Sequence, residues 1–373
     1  MAAPPGPPLP PGRRLPVRGP AVQGQTMTDQ ILRSAPTLAV FDELSKGAPA
    51  PSWLRDGVLD AWGFAPDSTV TLITVSENAT FLVREHGEPV AVTRVARPGY
   101  VGDALAFESE LAWVAALAAA RVARVPTGLT TSDGTYVATV RDDDGVPWTC
   151  VSFAFIEGDV LEDAADPVPF YAEIGGTTAL LHEHASRWRP PTPFHRHAWT
   201  LRDMLGETAR WGRWEDAPLT PGEVALLDRA QAAALDALAD LRVGGPDWGL
   251  IHADLRPSNV MTDGYSLTVI DFDDCGYGWF GYDFAASLTF LEHVPYARAM
   301  AAEWLAGYQQ VRPLTTQQLN RACAFSMVRR LQMLGWTTTH RADALPADLW
   351  AEQTSGTVEV AARYLKRRTW LIS

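Results

Sequence analysis

Cysteine is scarce in this 373-residue chain: Cys150, Cys275 and Cys323 lie far apart, with no CxxC pair. That spacing argues against both a disulfide framework and a thiolate metal site. No apolar run approaches the roughly 20 residues that span a bilayer, and the N-terminal arginines are not followed by the apolar core of a secretory signal. Basic charge is also short, with 31 Lys and Arg against 44 Asp and Glu, a net charge of −13. A protein that grips a phosphate backbone needs a concentrated basic surface, so nucleic acid is excluded as the main partner. Together these absences predict a soluble protein of the reducing cytoplasm with neither a membrane nor a nucleic acid as partner. The acidic surplus first serves solubility, and it also suits a cationic substrate.

The residues present divide the chain into three parts. Residues 1–36, opening MAAPPGPPLPPGRR, have no acidic residue before Asp29 and too little apolar content to offset ordering entropy, which predicts a disordered Pro-rich tail. Residues 37–155 carry short runs rich in Val, Thr and aromatics, bounded by Gly, Pro, Asp or Asn: Thr69–Val75, Thr80–Arg84, Pro89–Val95, Tyr136–Val140 and Trp148–Phe155. One helix, 103–120, interrupts them, with Phe107, Leu111, Val114 and Leu117 on one face. This predicts a small α+β lobe. Residues 156–373 read as mainly helical, with helices at 170–184, 296–310 and 347–367. Thr220-Pro221-Gly222-Glu223 is a capping box opening a helix through Leu241, and Thr315 with Gln318 opens another. The single strand signal in this part is Leu267–Phe272, and no internal repeat occurs.

Chemistry concentrates beside that strand. Ile251-His252-Ala253-Asp254-Leu255-Arg256-Pro257-Ser258-Asn259 is followed by Val269-Ile270-Asp271-Phe272-Asp273. Phosphoryl transfer asks little covalent help of a protein; it needs a carboxylate to orient the acceptor hydroxyl and oxygen ligands for magnesium on the triphosphate. In the kinase arrangement Asp254 orients the hydroxyl, while Asn259 and Asp271 hold metal. A loop leaving an apolar strand brings residues five apart into one cavity, and a hairpin over Thr262-Asp263-Gly264 returns the chain so that Asp271 arrives there too. Magnesium prefers a few protein oxygens plus phosphates to a full protein cage, which this supply matches.

HADLRPSN followed by VIDFDD resembles the catalytic loop and metal aspartate of the aminoglycoside phosphotransferase family, which includes choline kinases and type II homoserine kinases. Likeness extends to Ser76–Phe81, to Ser109–Trp113 and to the stretch from Asp271 to Ala285, covering roughly residues 69–290. The resemblance implies a protein-kinase-like two-lobed fold, with a nucleotide-binding N-lobe (37–155) and a C-lobe (156–373) that holds the metal and the acceptor. It implies Asp254 as catalytic base, Asn259 and Asp271 as Mg2+ ligands, and His252 and Asp283 as structural supports. Arg256 takes the place of a phosphate-facing lysine. Arg94 stands where the family's nucleotide-gripping lysine would be, and arginine's planar fork is not an equivalent point charge. Its carboxylate partner is Glu110 rather than Glu108, because Glu110 falls inside the apolar stripe of the helix. Ala253 replaces a usual glycine. In place of a G-x-G-x-x-G loop the family carries a polar turn, here with Ser76 and Asn78 at the phosphates, and Phe155 and Glu157 lie in the hinge expected at adenine. The implied donor is ATP or GTP, and the implied acceptor is a small hydroxyl compound bearing an amine, such as an aminoglycoside, an amino alcohol or homoserine. A Ser/Thr protein kinase and a pseudokinase are the alternatives.

Bland readings stand beside these. His182-Glu183-His184 and His195-Arg196-His197 have poor zinc spacing, because residues two apart on a helix diverge. The tryptophans suit a core, with Trp279 the first candidate for a pocket. A strand ending in Asp271-Phe272-Asp273 also fits an aspartyl phosphatase, but the helical chain beyond 290 does not.

Overall fold

Strands with one apolar face satisfy their backbone by pairing sideways, and the computed structural model, which describes residues 38–41, 44–97, 104–339 and 347–373, contains that pairing. The tail anticipated at 1–36 lies outside the described residues. Helix α1 (Ser52–Trp62), not anticipated, precedes β1 (Thr69–Val75), β2 (Asn78–Glu85) and β3 (Glu88–Ala96). Helix α2 (Ala104–Ala119), β4 (Val137–Arg141) and β5 (Pro147–Ala154) follow. The sheet is antiparallel throughout, in the order β1-β2-β3-β5-β4.

The period of two along the central strand β3 decides what reaches the site. Ala91 and Val95 point into an apolar cluster with Phe41, Leu54, Phe81 and Trp148. Arg94 and Ala96 point the other way, toward Phe107, Leu111 and Val151. Helix α2 is buried on more than one face: Phe107 and Leu111 meet the sheet, while Trp113, Val114 and Leu117 join the core of the helical region. The pattern of a single apolar stripe therefore understated its burial.

The remaining chain is mainly helical, but among the described residues it carries five short strands where a single one was expected. In order it forms β6 (Asp159–Val160), α3 (Tyr171–Arg187), α4 (Leu201–Leu205), α5 (Pro221–Ala237), β7 (Trp248–Ile251), β8 (Val260–Thr262), β9 (Leu267–Val269) and β10 (Gly276–Trp279). Helices α6 (Gly281–Ser287), α7 (Ala297–Val311), α8 (Thr316–Thr339) and α9 (Ala347–Lys366) follow. Helix α5 opens with the Thr220–Glu223 capping box, but it stops at Ala237, short of Leu241, because the chain tightens into i→i+3 turns at Ala239 and Leu241. Strand β9 ends at Val269 rather than Phe272, because Asp271 turns left-handed at φ 60°.

Strands β7 and β10 pair antiparallel and frame the loop between them. Gly-rich β10 lacks the alternation that marks a strand. Close packing favours glycine at Gly276, since a Cβ there would fall 2.7 Å from the backbone carbonyl oxygen of His197. Helix α8 is central: every residue from Ala322 to Trp336 is buried, including Arg329 and Arg330.

Candidate active site

The loop from Ile251 to Asn259 is held from below by Asp283. Its carboxylate accepts from the backbone N–H of His252 (3.1 Å) and Ala253 (2.8 Å), and from His182 Nε2 (3.0 Å). Because a carboxylate only accepts, His182 carries its proton on Nε2 and takes the Tyr308 hydroxyl on Nδ1 (2.9 Å). Ala253 sits at φ 68°, left-handed backbone that explains why glycine suits this position. His252 donates from Nε2 to the Ile270 carbonyl (3.1 Å), tying the loop to the segment that carries Asp271.

Asn259 Nδ2 bonds both the Asp254 carbonyl and Asp254 Oδ2, each at 2.8 Å. Ile270 N–H bonds the Asn259 carbonyl at 2.9 Å, extending the β8–β9 ladder to the doorstep of Asp271. Arg94 Nη2 reaches both oxygens of Glu110 (2.9 and 2.7 Å), and its Nη1 stands 3.5 Å from Asp271 Oδ1. Glu110, not Glu108, is thus the partner of Arg94. Burial alone would lower the Arg94 pKa; Glu110 and Asp273, with Asp271, outweigh it, so the guanidinium stays charged. The chain has only two lysines, Lys46 and Lys366, so arginine carries nearly all its positive charge, position 94 included.

Other expected residues are placed differently from one another. Arg256 Nε lies 3.4 Å from Asp254 Oδ2, with Nη1 3.8 Å from Glu162, so it flanks the carboxylate. The Asn78 side chain is spent on Asp273 Oδ2 (2.7 Å) and pins the β1–β2 turn to the segment after Asp271. Ser76 is exposed, and its N–H closes the turn on the Asn78 carbonyl (2.9 Å). The Phe155 N–H is taken by the Val90 carbonyl (3.0 Å), and Glu157 is exposed. Trp279 is core: it packs on Trp248 and Phe325 and donates to the Arg242 carbonyl.

The sequence reading missed a buried cation at the centre. Arg329 of α8, fully buried, donates from Nη2 to Asp254 Oδ1, from Nη1 to Tyr282 Oη (2.7 Å) and from Nε to Thr289 Oγ1 (3.0 Å). It lies over the Trp211 ring, 4.8 Å from the centroid. Two adjacent arginines amid the apolar run Ala322–Leu334 were the only local sign. Arg196, also buried, bonds the carbonyls of Asp273, Cys275 (2.6 Å) and Ala106 (2.9 Å), fixing the backbone after Asp271. Burial pushes Asp273 well above the usual carboxylate range, reinforced by Asp271 and Asp274 and opposed by Arg94. Burial does the same to Asp274, reinforced by Asp254 and opposed by Arg329.

The donors fit magnesium by chemistry. With Nδ2 committed to Asp254, Asn259 leaves Oδ1 as a ligand, and the Asp271 side chain is 44% exposed and so open to one. Among the described residues no group of three His, Cys, Asp or Glu is placed to hold a metal ion by itself. Magnesium needs only such a sparse oxygen set, with phosphates and water completing it.

Burial lowers the pKa of both His182 and His197 below the 6.5 of a free imidazole; Asp283 opposes the effect at His182, and Arg210 adds to it at His197. The unfolded chain therefore binds more protons than the folded one as pH drops below 6.5, so the stability is fully present above that value and is lost below it. Thermal melts should show a falling Tm below pH 6.5, and His197→Gln should flatten the fall. A Tm that rises on acidification through this window would contradict the burial argument.

A five-stranded antiparallel lobe set against a helical region, with a loop carboxylate and asparagine beside a strand-end aspartate, defines a kinase-like fold. The chain belongs to the APH phosphotransferase enzyme family, whose sequence model matches residues 69–314. A microcompartment-associated aminopropanol kinase of known structure is 35% identical, covers 85% of this chain and 98% of its own, and superposes with a TM-score of 0.76. An amicoumacin kinase in complex with AMP-PNP, Ca2+ and Ami shares the fold at 19% identity, with a TM-score of 0.65 over 83% of this chain and 92% of that one. The amicoumacin kinase of Bacillus subtilis (strain 168) is 24% identical over 230 residues, 61% of this chain. The chain spans 64% of the length of that relative and less of the other curated relatives it matches. No helix among the described residues is long and apolar enough to cross a membrane.

Proposed function

We propose that this protein is a kinase that moves the γ-phosphoryl group of ATP or GTP onto the hydroxyl of a small amine-bearing acceptor. Asp254 serves as the base that orients and deprotonates the hydroxyl, with Arg256 beside it toward the phosphates. Asn259 and Asp271 hold Mg2+, whose role when bound is to neutralise charge on the triphosphate. Arg94, steadied by Glu110, faces the phosphates, and the turn at Ser76 and Asn78 covers them through its backbone. Residues 37–155 bind nucleotide, with the base at the segment of Phe155 and Glu157. Residues 156–373 supply the metal ligands and the acceptor site. The observation that carries this reading is the joining of Asp254 to Asn259 at 2.8 Å, with Arg94 reaching from Glu110 to within 3.5 Å of Asp271. Three free, buried cysteines support a reducing cytoplasm as its compartment.

The likeness to the aminopropanol kinase favours a short amino alcohol over the larger acceptors. ADP release measured on purified protein with Mg2+ and ATP, across amino alcohols, aminoglycosides, homoserine and peptides, is expected to show turnover chiefly with short amino alcohols. Nucleotide binding that ignores Mg2+, with no turnover on any acceptor, would point instead to a binding module.

A further inference from the structure

One side chain beside Asp254 has no role in that reading. Asp274 is 8% exposed, and no hydrogen bond or ion pair reaches its carboxylate from any described residue. Its main chain is held still: the carbonyl accepts from Trp199 Nε1 at 2.8 Å, and Arg196 bonds the carbonyls on either side, those of Asp273 and Cys275. The charges that weigh most on the carboxylate are Asp254, Asp271 and Glu77, all negative, and the cation Arg329. That cation is already committed to Asp254, Tyr282 and Thr289. Neither of its oxygens is among the polar atoms fully shut from solvent, so the carboxylate is largely buried yet open to an approaching ligand, and a charge in such a place is steadied by a partner that brings opposite charge and hydrogen-bond donors.

We propose that Asp274 receives the ammonium group of a short amino-alcohol acceptor whose hydroxyl lies against Asp254. This rests on the kinase reading above and adds the subsite that selects the amine. An ammonium supplies the two things Asp274 lacks, a positive charge and N–H donors. A second metal ion fits less well, because Asp254, the carboxylate whose charge weighs most on Asp274, already has its oxygens occupied by Arg329 and Asn259. A carboxylate-bearing acceptor such as homoserine would bring a further negative charge to a group of four.

The test compares a short amino alcohol with the diol in which a second hydroxyl replaces the amine, on the full chain with Mg2+ and ATP. For the unaltered protein the ratio of kcat/KM, amino alcohol over diol, is expected to be about 10²-fold, and Asp274→Asn is expected to collapse it to near one by raising KM for the amine. Taking a ratio cancels any general loss of activity in the variant. A ratio that survives Asp274→Asn overturns the subsite while leaving the kinase reading intact, as does a variant whose main defect is a weakened Mg2+ requirement. Should neither compound be phosphorylated, the kinase reading fails by itself, and binding decides the subsite: propylamine should raise the Tm of the unaltered protein and not that of Asp274→Asn. Because the asparagine variant could fold poorly, the unaltered protein supplies an independent arm. Propylamine should compete with the amino alcohol and propanol should not; equal competition by propanol overturns the proposal.

Discussion

Asp254→Asn is expected to cut kcat for phosphate transfer by about 10³-fold while leaving the fold in place. Asparagine removes the basic carboxylate but keeps an oxygen for Arg329 Nη2, which is bonded to Asp254 Oδ1. Alanine would be a poorer probe. It leaves a fully buried guanidinium without its counter-ion, and breaking such a pair costs about 3–5 kcal/mol. Loss of activity in Asp254→Ala would then mix chemistry with unfolding. Combining Asp254→Ala with Arg329→Met should recover much of the lost Tm and none of the activity. Coupled ADP-release rates and thermal melts on the same preparations read both quantities. An Asp254→Asn enzyme that keeps most of its turnover would remove Asp254 from the role of base.

Asp271→Asn should lower kcat by about 10²- to 10³-fold and abolish the Mg2+ dependence of nucleotide affinity, because metal stabilisation of the triphosphate is worth several kcal/mol. The choice of asparagine follows from the backbone. Residue 271 sits at φ 60°, which asparagine tolerates and alanine pays for by about 1–2 kcal/mol. Arg94 keeps both oxygens of Glu110, so removing the charge 3.5 Å from its Nη1 should not loosen the sheet. Asp273 and Asp274, whose ionisation Asp271 opposes, should ionise more readily in the variant. Magnesium titrations of nucleotide binding, by fluorescence or calorimetry, measure the effect. Unchanged metal dependence would place the ion on other residues.

Both predictions start from residues within one stretch of chain, and that is why the sequence could nominate them. Asp254, Asn259 and Asp271 are joined by a loop and a hairpin whose geometry is local. The two capping boxes and the limits of β1 were legible for the same reason, since partners three residues apart or alternate faces of one strand need no knowledge of the rest. Even there the local view had limits. The left-handed turn at Asp271 shortened β9, and glycines hid β10 because they carry no side chain to alternate.

The sequence by itself determined the division into a strand-rich first part and a mainly helical second part, the loop that carries Asp254 and Asn259, and the choice of Glu110 over Glu108 as the partner of Arg94. Tertiary structure alone decided that Arg329, distant in the chain, closes on Asp254, that Asn78 serves Asp273, that Trp279 belongs to the core, and that the Asp274 carboxylate is largely buried with no partner among the described residues. The physical reason is that periodicity encodes which face of an element is apolar, whereas a buried charge gains its meaning only from the group that folding brings against it.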